Sequence, residues 1–77
     1  MGYRVPGDGV VTLVVYDVRG AEVARLAEGF RSEGEYEAAW DGRDLRGRTA
    51  APGVYFARLE TPGGSRVRKI VKQSPER

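Results

Sequence analysis

The amino-acid sequence predicts an all-β protein, a small antiparallel sandwich or barrel, and three observations support this fold class. Apolar residues recur with period two in five places, which is typical of strands because successive side chains point to opposite faces. Turn residues separate these segments at intervals of roughly ten residues, the spacing found in sandwiches and small barrels. The 77 residues include no cysteine, so one small domain must fold around its apolar core without disulfides.

The first two strands are predicted at residues 3–5 and 10–16. Pro6 ends the first strand because proline cannot donate a ladder hydrogen bond, and this strand is therefore expected at an edge. The second strand is apolar at both parities, which indicates a central strand covered on both faces.

The third and fourth strands are predicted at residues 21–27 and 35–40. The apolar residues Val23 and Leu26 are three positions apart, a spacing that fits either a helical turn or a bulged strand. Because the segment is short and lies between Gly20 and Gly29, we expect a strand with a bulge. Trp40, the only tryptophan, falls on the inward parity of the fourth strand. Its expected role is core packing, and the alternative is a platform on which a carbohydrate ring stacks.

The fifth and sixth strands, residues 53–60 and 65–72, are predicted to form a hairpin around the turn at 61–64. Tyr55 and Leu59 fall on the inward parity of the fifth strand. We expect the Tyr55 hydroxyl to lock a corner of the structure, as tyrosines do in other sandwiches.

The sixth strand does not show a single apolar face. Val67 and Val71 share one parity and Ile70 has the other. A bulge near Arg68 and Lys69 would bring the three apolar residues to one face, and we predict a bulge there.

The composition excludes several classes of function. Without cysteine or histidine, the chain lacks the usual ligands of zinc, haem and iron-sulfur clusters and has no imidazole base, so we predict no cofactor, no metal and no enzymatic activity. No apolar run approaches the ~20 residues of a membrane span. The basic C-terminal end has no aromatic residue of the kind that nucleic-acid-binding surfaces use for stacking. We expect no integral membrane segment, no nucleic-acid ligand and no small-molecule substrate.

The loop after Trp40 contains two carboxylates, Asp41 and Asp44, on either side of Gly42. Such a pair could bind calcium or carry out acid-base chemistry. However, three arginines in the same loop would repel a cation, and aspartates beside glycine are typical acceptors of backbone N–H groups in turns. We therefore expect structural roles, and a calcium- or carbohydrate-binding module centred on residues 40–44 is the minor alternative.

Four stretches of the sequence, in order and at characteristic intervals, resemble one group of domains: VTLVVYDVRGAEVARL, WDGRD, PGVYFARLE and SRVRKIV. The group comprises the immunoglobulin-like domain of the flagellar hook-capping protein family and the related C-terminal sorting domains of the bacterial type IX secretion system. The similarity runs from about Tyr3 to Lys72. Its most specific elements are Tyr16-Asp17 with Gly20, Trp40-Asp41-Gly42, and Gly53-Val54-Tyr55 with Leu59.

The resemblance implies an antiparallel immunoglobulin-like β-sandwich of about seven strands, with residues 1–77 as one domain and 73–77 as a flexible tail. It also implies a non-catalytic C-terminal module of a larger exported bacterial protein, secreted or held at the cell surface. Our primary hypothesis is a secretion-sorting or surface-attachment domain that contacts the secretion machinery or a neighbouring domain of the parent chain. The alternative hypothesis is a structural module, as in a hook-cap scaffold.

Two groups of residues are candidates for contacting a partner. Val54 and Phe56 share a parity opposite to that of Tyr55, so either another part of the fold covers them or they form a contact surface for a sister domain or subunit. The second group is the basic residues of the last strand. Those residues either keep a solvated edge from pairing with another sheet or dock on an acidic secretion receptor or on lipopolysaccharide. They are Arg66, Arg68, Lys69 and Lys72.

Overall fold

The computed structural model describes residues 1–73, which contain six strands in two antiparallel sheets. The four-stranded sheet has the order β3-β2-β5-β6, and the two-stranded sheet pairs β1 with β4. The predicted antiparallel β-sandwich is therefore confirmed. The strands are β1 (Gly2–Val5), β2 (Gly9–Tyr16), β3 (Glu22–Arg31), β4 (Gly34–Glu37), β5 (Gly53–Thr61) and β6 (Gly64–Lys72).

The described range holds no helix long and apolar enough to cross a membrane. Of the tail predicted at residues 73–77, only Gln73 lies within this range, where it follows β6. Residues 74–77 lie outside the described residues.

The part of the chain that the structure describes has six strands, one fewer than the resemblance implies. Residues 39–52 are long enough for a further strand, but after Ala38, which pairs with Met1, they form only an isolated bridge between Arg43 and Thr49. The intervening backbone turns back on itself, because the Asp44 N–H donates to the Arg48 carbonyl at 2.7 Å and the Gly47 N–H donates to the Asp44 carbonyl at 2.9 Å. The fourth strand stops at residue 37 rather than at 40, where its register with β1 ends at the pair Gly2 and Glu37.

The strand β2 occupies the centre of the four-stranded sheet, as predicted. Its inward residues Val11, Leu13 and Val15 are buried. On the other face Val14 is also buried, but Val10 is 67% exposed. The prediction that both faces are covered is therefore wrong at the start of the strand, where no second layer formed by residues 1–73 lies above the outer face.

The strand β3 contains the predicted bulge and a second one as well. Consecutive residues of β2 pair with Ala27 and Arg25, which leaves Leu26 unpaired, and a second shift in register leaves Val23 unpaired in the same way. Both unpaired side chains pack in or against the core. The bulges explain why residues three positions apart face the same side.

The hairpin of β5 and β6 is confirmed, and its register is continuous from Gly53 opposite Lys72 to Thr61 opposite Gly64. The bulge predicted in β6 is therefore wrong. The turn also closes against the N-terminal loop, since a Cβ atom placed on Gly63 would lie 2.9 Å from Cγ of Pro6.

The unbroken register divides the apolar residues of β6 between two faces. Ile70 lies opposite Tyr55 and packs against the core, whereas Val67 and Val71 point outward and are 62% and 60% exposed. The strand is the last in its sheet, and the second layer covers only one face. No bulge is needed because the outward valines remain at the surface.

The core lies between the two sheets and consists of two adjoining clusters. The layer opposite the large sheet contributes Trp40 to the first cluster and Met1, Tyr3 and Ala38 to the second. The Tyr3 ring stacks on Tyr36 with the ring centroids 5.6 Å apart. The buried members are Val15, Val23, Ala24, Ala50 and Tyr55 in the first cluster and Leu13, Ala27 and Ala57 in the second.

Candidate interaction surfaces

The carboxylates of the 40–52 loop bind the backbone of their own turns. The Asp44 Oδ1 atom accepts the N–H groups of Arg46 at 2.9 Å and Arg48 at 3.0 Å, and the Asp41 Oδ1 atom accepts the N–H of Arg43 at 3.0 Å. The structure therefore places both aspartates as turn acceptors, which is the role expected from their neighbours.

The electrostatics of Asp44 follow from these contacts. The backbone N–H of Arg48 is the main cause that lowers the pKa of the Asp44 carboxyl. Desolvation opposes it, and the N–H of Arg46 and the charges of both arginines lower the pKa further. The Nε atom of Arg48 also lies 3.6 Å from the other oxygen of Asp44. Within residues 1–73, no group of three potential metal-ligating side chains comes together.

Trp40 lies just after β4, half-buried, with its ring edge-on to Tyr55 at a centroid distance of 5.0 Å. Its indole N–H donates to the Arg43 carbonyl at 2.9 Å, and the Tyr55 hydroxyl donates to the Ala51 carbonyl four residues upstream. The predicted corner bond of Tyr55 is therefore present. Trp40 therefore packs against Tyr55 and holds the following loop through its indole N–H, and both contacts are structural.

Val54 and Phe56 lie on the outer face of the four-stranded sheet, which the two-stranded sheet does not cover. Val54 is opposite Val71, and Phe56 lies between Tyr16 on β2 and Lys69 on β6. Directly opposed residues in a sheet share a face, so the apolar side chains form one surface. We call it the outer patch; it consists of Tyr16, Val54, Phe56, Val67 and Val71.

Charged side chains surround the outer patch, and most of them are paired. Arg58 forms an ion pair with Glu60 at 3.1 Å, and Arg25 forms one with Glu22 at 2.9 Å. Lys69 forms no ion pair with any carboxylate of residues 1–73. The unneutralised charge beside the patch is therefore positive.

The four basic residues of β6 do not share one surface. Lys69 points outward with the outer patch, whereas Arg66 and Arg68 lie on the opposite parity, across from Leu59 and Ala57. Lys72 shares that inward parity but lies at the other end of the strand.

The Lys72 side chain covers the backbone of the 40–52 loop. Gly42 has a φ of +80°, which favours glycine, and a Cβ atom there would lie 2.9 Å from the Lys72 Cε atom. The left-handed backbone is the reason for glycine at this position, because the flexible end of the Lys72 side chain could move away from a Cβ atom.

A groove of about 980 Å³ separates β1 from the β5–β6 hairpin. Leu13, Ala57 and Leu59 contribute to its apolar lining, and Arg66 and Arg68 line the side formed by β6. The groove exists because the second layer has only two strands and leaves part of the inner face of the large sheet open.

Three members of the outer patch, Tyr16, Val67 and Val71, are not among the contact residues predicted from the sequence. The available signal for the two valines is their shared parity, which by itself also fits a bulge. With β6 at the end of its sheet, the same parity indicates an exposed apolar row.

A family model described as the FlgD Ig-like domain matches residues 7–65, more than half of the chain. No curated protein and no solved structure matches the chain.

Proposed function

The chain belongs to the FlgD Ig-like domain family, and from this membership we propose that it is a non-catalytic assembly module that holds neighbouring protein in a scaffold of the hook-cap type. The outer patch is the observation that carries the proposal. It provides an apolar surface on a face that has no second layer within residues 1–73, and such surfaces mark sites of protein contact.

The composition of the outer patch is that of a protein interface. Interfaces combine an apolar, aromatic centre with a polar rim. Here Phe56 and Tyr16 are adjacent on neighbouring strands, and the paired Arg58 and Glu60 lie towards one end. We expect the partner surface to offer an apolar centre and a carboxylate opposite Lys69.

The arrangement of the basic residues favours an assembly role over a secretion-sorting role. A sorting determinant on β6 would be expected to present its charges together, but Lys69 is on the outer face, Lys72 covers Gly42, and Arg66 and Arg68 line the groove. We further propose that the module is exported as part of a larger bacterial protein, where its neighbour is a sister domain or subunit.

Light scattering of the isolated chain tests the outer patch, because an apolar contact surface self-associates weakly at roughly millimolar concentration when its partner is absent. We expect the weight-average mass to rise with concentration and Phe56→Ser to abolish the rise. Val10→Ser is the control, since Val10 is an exposed apolar residue on the same face but outside the patch. A mass that stays monomeric at all concentrations, or an equal effect of Val10→Ser, would contradict the proposal.

A further inference from the structure

We propose that the groove between β1 and β6 binds an extended acidic segment of a partner protein, which adds a strand to the free edge of β1. This surface lies on the inner side of the large sheet and shares no residue with the outer patch except Val67 at its margin. The inference therefore goes beyond the assembly contact proposed above.

The free edge of β1 provides the backbone groups that an added strand needs. Met1 and Ala38 exchange two hydrogen bonds, from the Met1 nitrogen to the Ala38 carbonyl at 2.8 Å and from the Ala38 N–H to the Met1 carbonyl at 2.9 Å. Bonded and non-bonded pairs alternate along an antiparallel ladder. Gly2 and Arg4 consequently direct their N–H and C=O groups away from β4, towards the groove that both residues line.

The lining of the groove suits alternating side chains. An extended segment beside β1 would direct every second side chain inward, towards Leu59 and Tyr3, which are only half-buried in the chain alone. Burial of apolar surface would stabilise the bound strand in addition to its ladder hydrogen bonds. We therefore expect apolar residues at alternate positions of the segment.

The charge of the groove indicates that the remaining positions of the bound segment, those between its apolar residues, are acidic. Arg66 and Arg68 line the groove and form no ion pair within residues 1–73. Arg4, on the opposite side, is already within 4.0 Å of Glu33 and 3.5 Å of Glu35. The uncompensated charge is positive, and carboxylates accept charge-assisted hydrogen bonds from guanidinium groups.

Nuclear magnetic resonance titration with two synthetic peptides tests the proposal. One peptide alternates valine with glutamate, and the other has lysine in place of each glutamate. We expect the acidic peptide to shift the amide resonances of Gly2 and Arg4 and to bind about tenfold more tightly than the basic one. Absence of binding by the acidic peptide, or equal binding of the two, would overturn the proposal.

One set of variants tests how much the charge of the groove contributes to peptide binding, and a second set tests the contribution of the backbone. Arg66→Glu with Arg68→Glu should weaken binding of the acidic peptide about tenfold. Arg19→Glu with Arg46→Glu makes the same change in net charge at loops outside the groove. This control variant should therefore keep most of its affinity for the acidic peptide. Equal loss in the two double variants would indicate a general charge effect and would overturn the groove as the site.

Arg4→Pro removes the N–H that faces the groove and leaves the bonds between β1 and β4, because proline is tolerated on an edge strand whose N–H faces outward. Arg4→Ala is its control for loss of the side chain. Binding should be lost in Arg4→Pro and kept in Arg4→Ala, with melting curves to show that each variant is folded. Peptide binding retained by Arg4→Pro would overturn the proposal. It would also be overturned if, without peptide, the amide resonances of Gly2 and Arg4 shifted with protein concentration, because a second copy of the chain would then occupy the edge of β1.

Discussion

At the scale of single residues, Asp44 determines the course of the loop between β4 and β5. Its side chain accepts two backbone N–H groups, its own N–H donates to the Arg48 carbonyl, and its carbonyl accepts from Gly47. Four bonds to one residue make the loop a set of turns rather than a strand. The loop in turn places Trp40 against Tyr55.

The lowered pKa of Asp44 predicts a dependence of stability on acid. An aspartate titrates near pH 4 in the unfolded chain, and its folded pKa is lower. Its ionised form therefore stabilises the fold at pH values above the unfolded pKa, and this contribution is lost as the pH falls through the folded pKa. We expect Asp44→Asn to melt at a lower temperature than the native chain at pH 7, and the difference to narrow at pH values below about 4.

Arg48→Met is the control for the cause of this effect. It removes the ion pair with Asp44 at 3.6 Å but keeps the backbone N–H that is the main source of the shift. Melting temperatures measured by circular dichroism from neutral to acid pH should show that this variant keeps most of the acid dependence. If Arg48→Met and Asp44→Asn lost it equally, the side-chain ion pair and not the backbone bond would be responsible.

At the scale of elements, β6 shows how position within a sheet decides which apolar residues are buried. The strand has one neighbour, β5, and only its inner parity faces the second layer. Ile70 therefore packs against both core clusters, whereas the valines on the other parity contribute to the outer patch. The difference between the two faces can be measured as a difference in stability.

We expect Ile70→Ala to lower the free energy of unfolding by about 2 kcal/mol, since it removes methyl and methylene groups that pack in a partly buried site. Val71→Ala, on the adjacent exposed position, should change it by less than about 0.5 kcal/mol. Urea denaturation of both variants measures the two values. A larger cost at Val71 would mean that the register of β6 differs from the continuous one described above.

At the scale of the whole molecule, the domain is an unequal sandwich in which two short strands cover part of a four-stranded sheet. Domains of this size bury a smaller fraction of their surface than larger domains do, and their free energy of unfolding is correspondingly small. The contacts of β1 therefore matter to the entire fold. Tyr3 makes the main contacts of β1 that can be tested by substitution, because it stacks on Tyr36 and packs against the second core cluster.

Tyr3→Ala should destabilise the whole domain by about 2 to 3 kcal/mol, which for a chain of this length lowers the melting temperature by about 10 °C or more. Tyr3→Phe keeps the ring and should remain close to the native chain. Thermal melts followed by both far-ultraviolet and tryptophan signals should coincide for each protein, since one core supports both sheets. Separate transitions would show that the two-stranded layer is dispensable.

Local sequence patterns are sufficient to predict the strand segments, the hairpin, the bulged third strand and the aspartate turns, because each of these depends on local period, turn residues and short-range hydrogen bonds. The six predicted segments correspond to the six strands of the fold, although the fourth strand ends at residue 37 rather than at 40. The Tyr55 hydroxyl bond was foreseeable for the same reason, since it spans four residues.

Which faces of the strands are covered depends on contacts between residues that are distant in the chain. Val67 and Val71 belong to a surface with Phe56 because β6 is the last strand of its sheet, and the groove exists because the second layer stops at β1. Alternation assigns a side chain to one face or the other, but the layer above that face comes from residues distant in the chain. The division of the basic residues between the groove, the outer face and the Gly42 loop has the same origin.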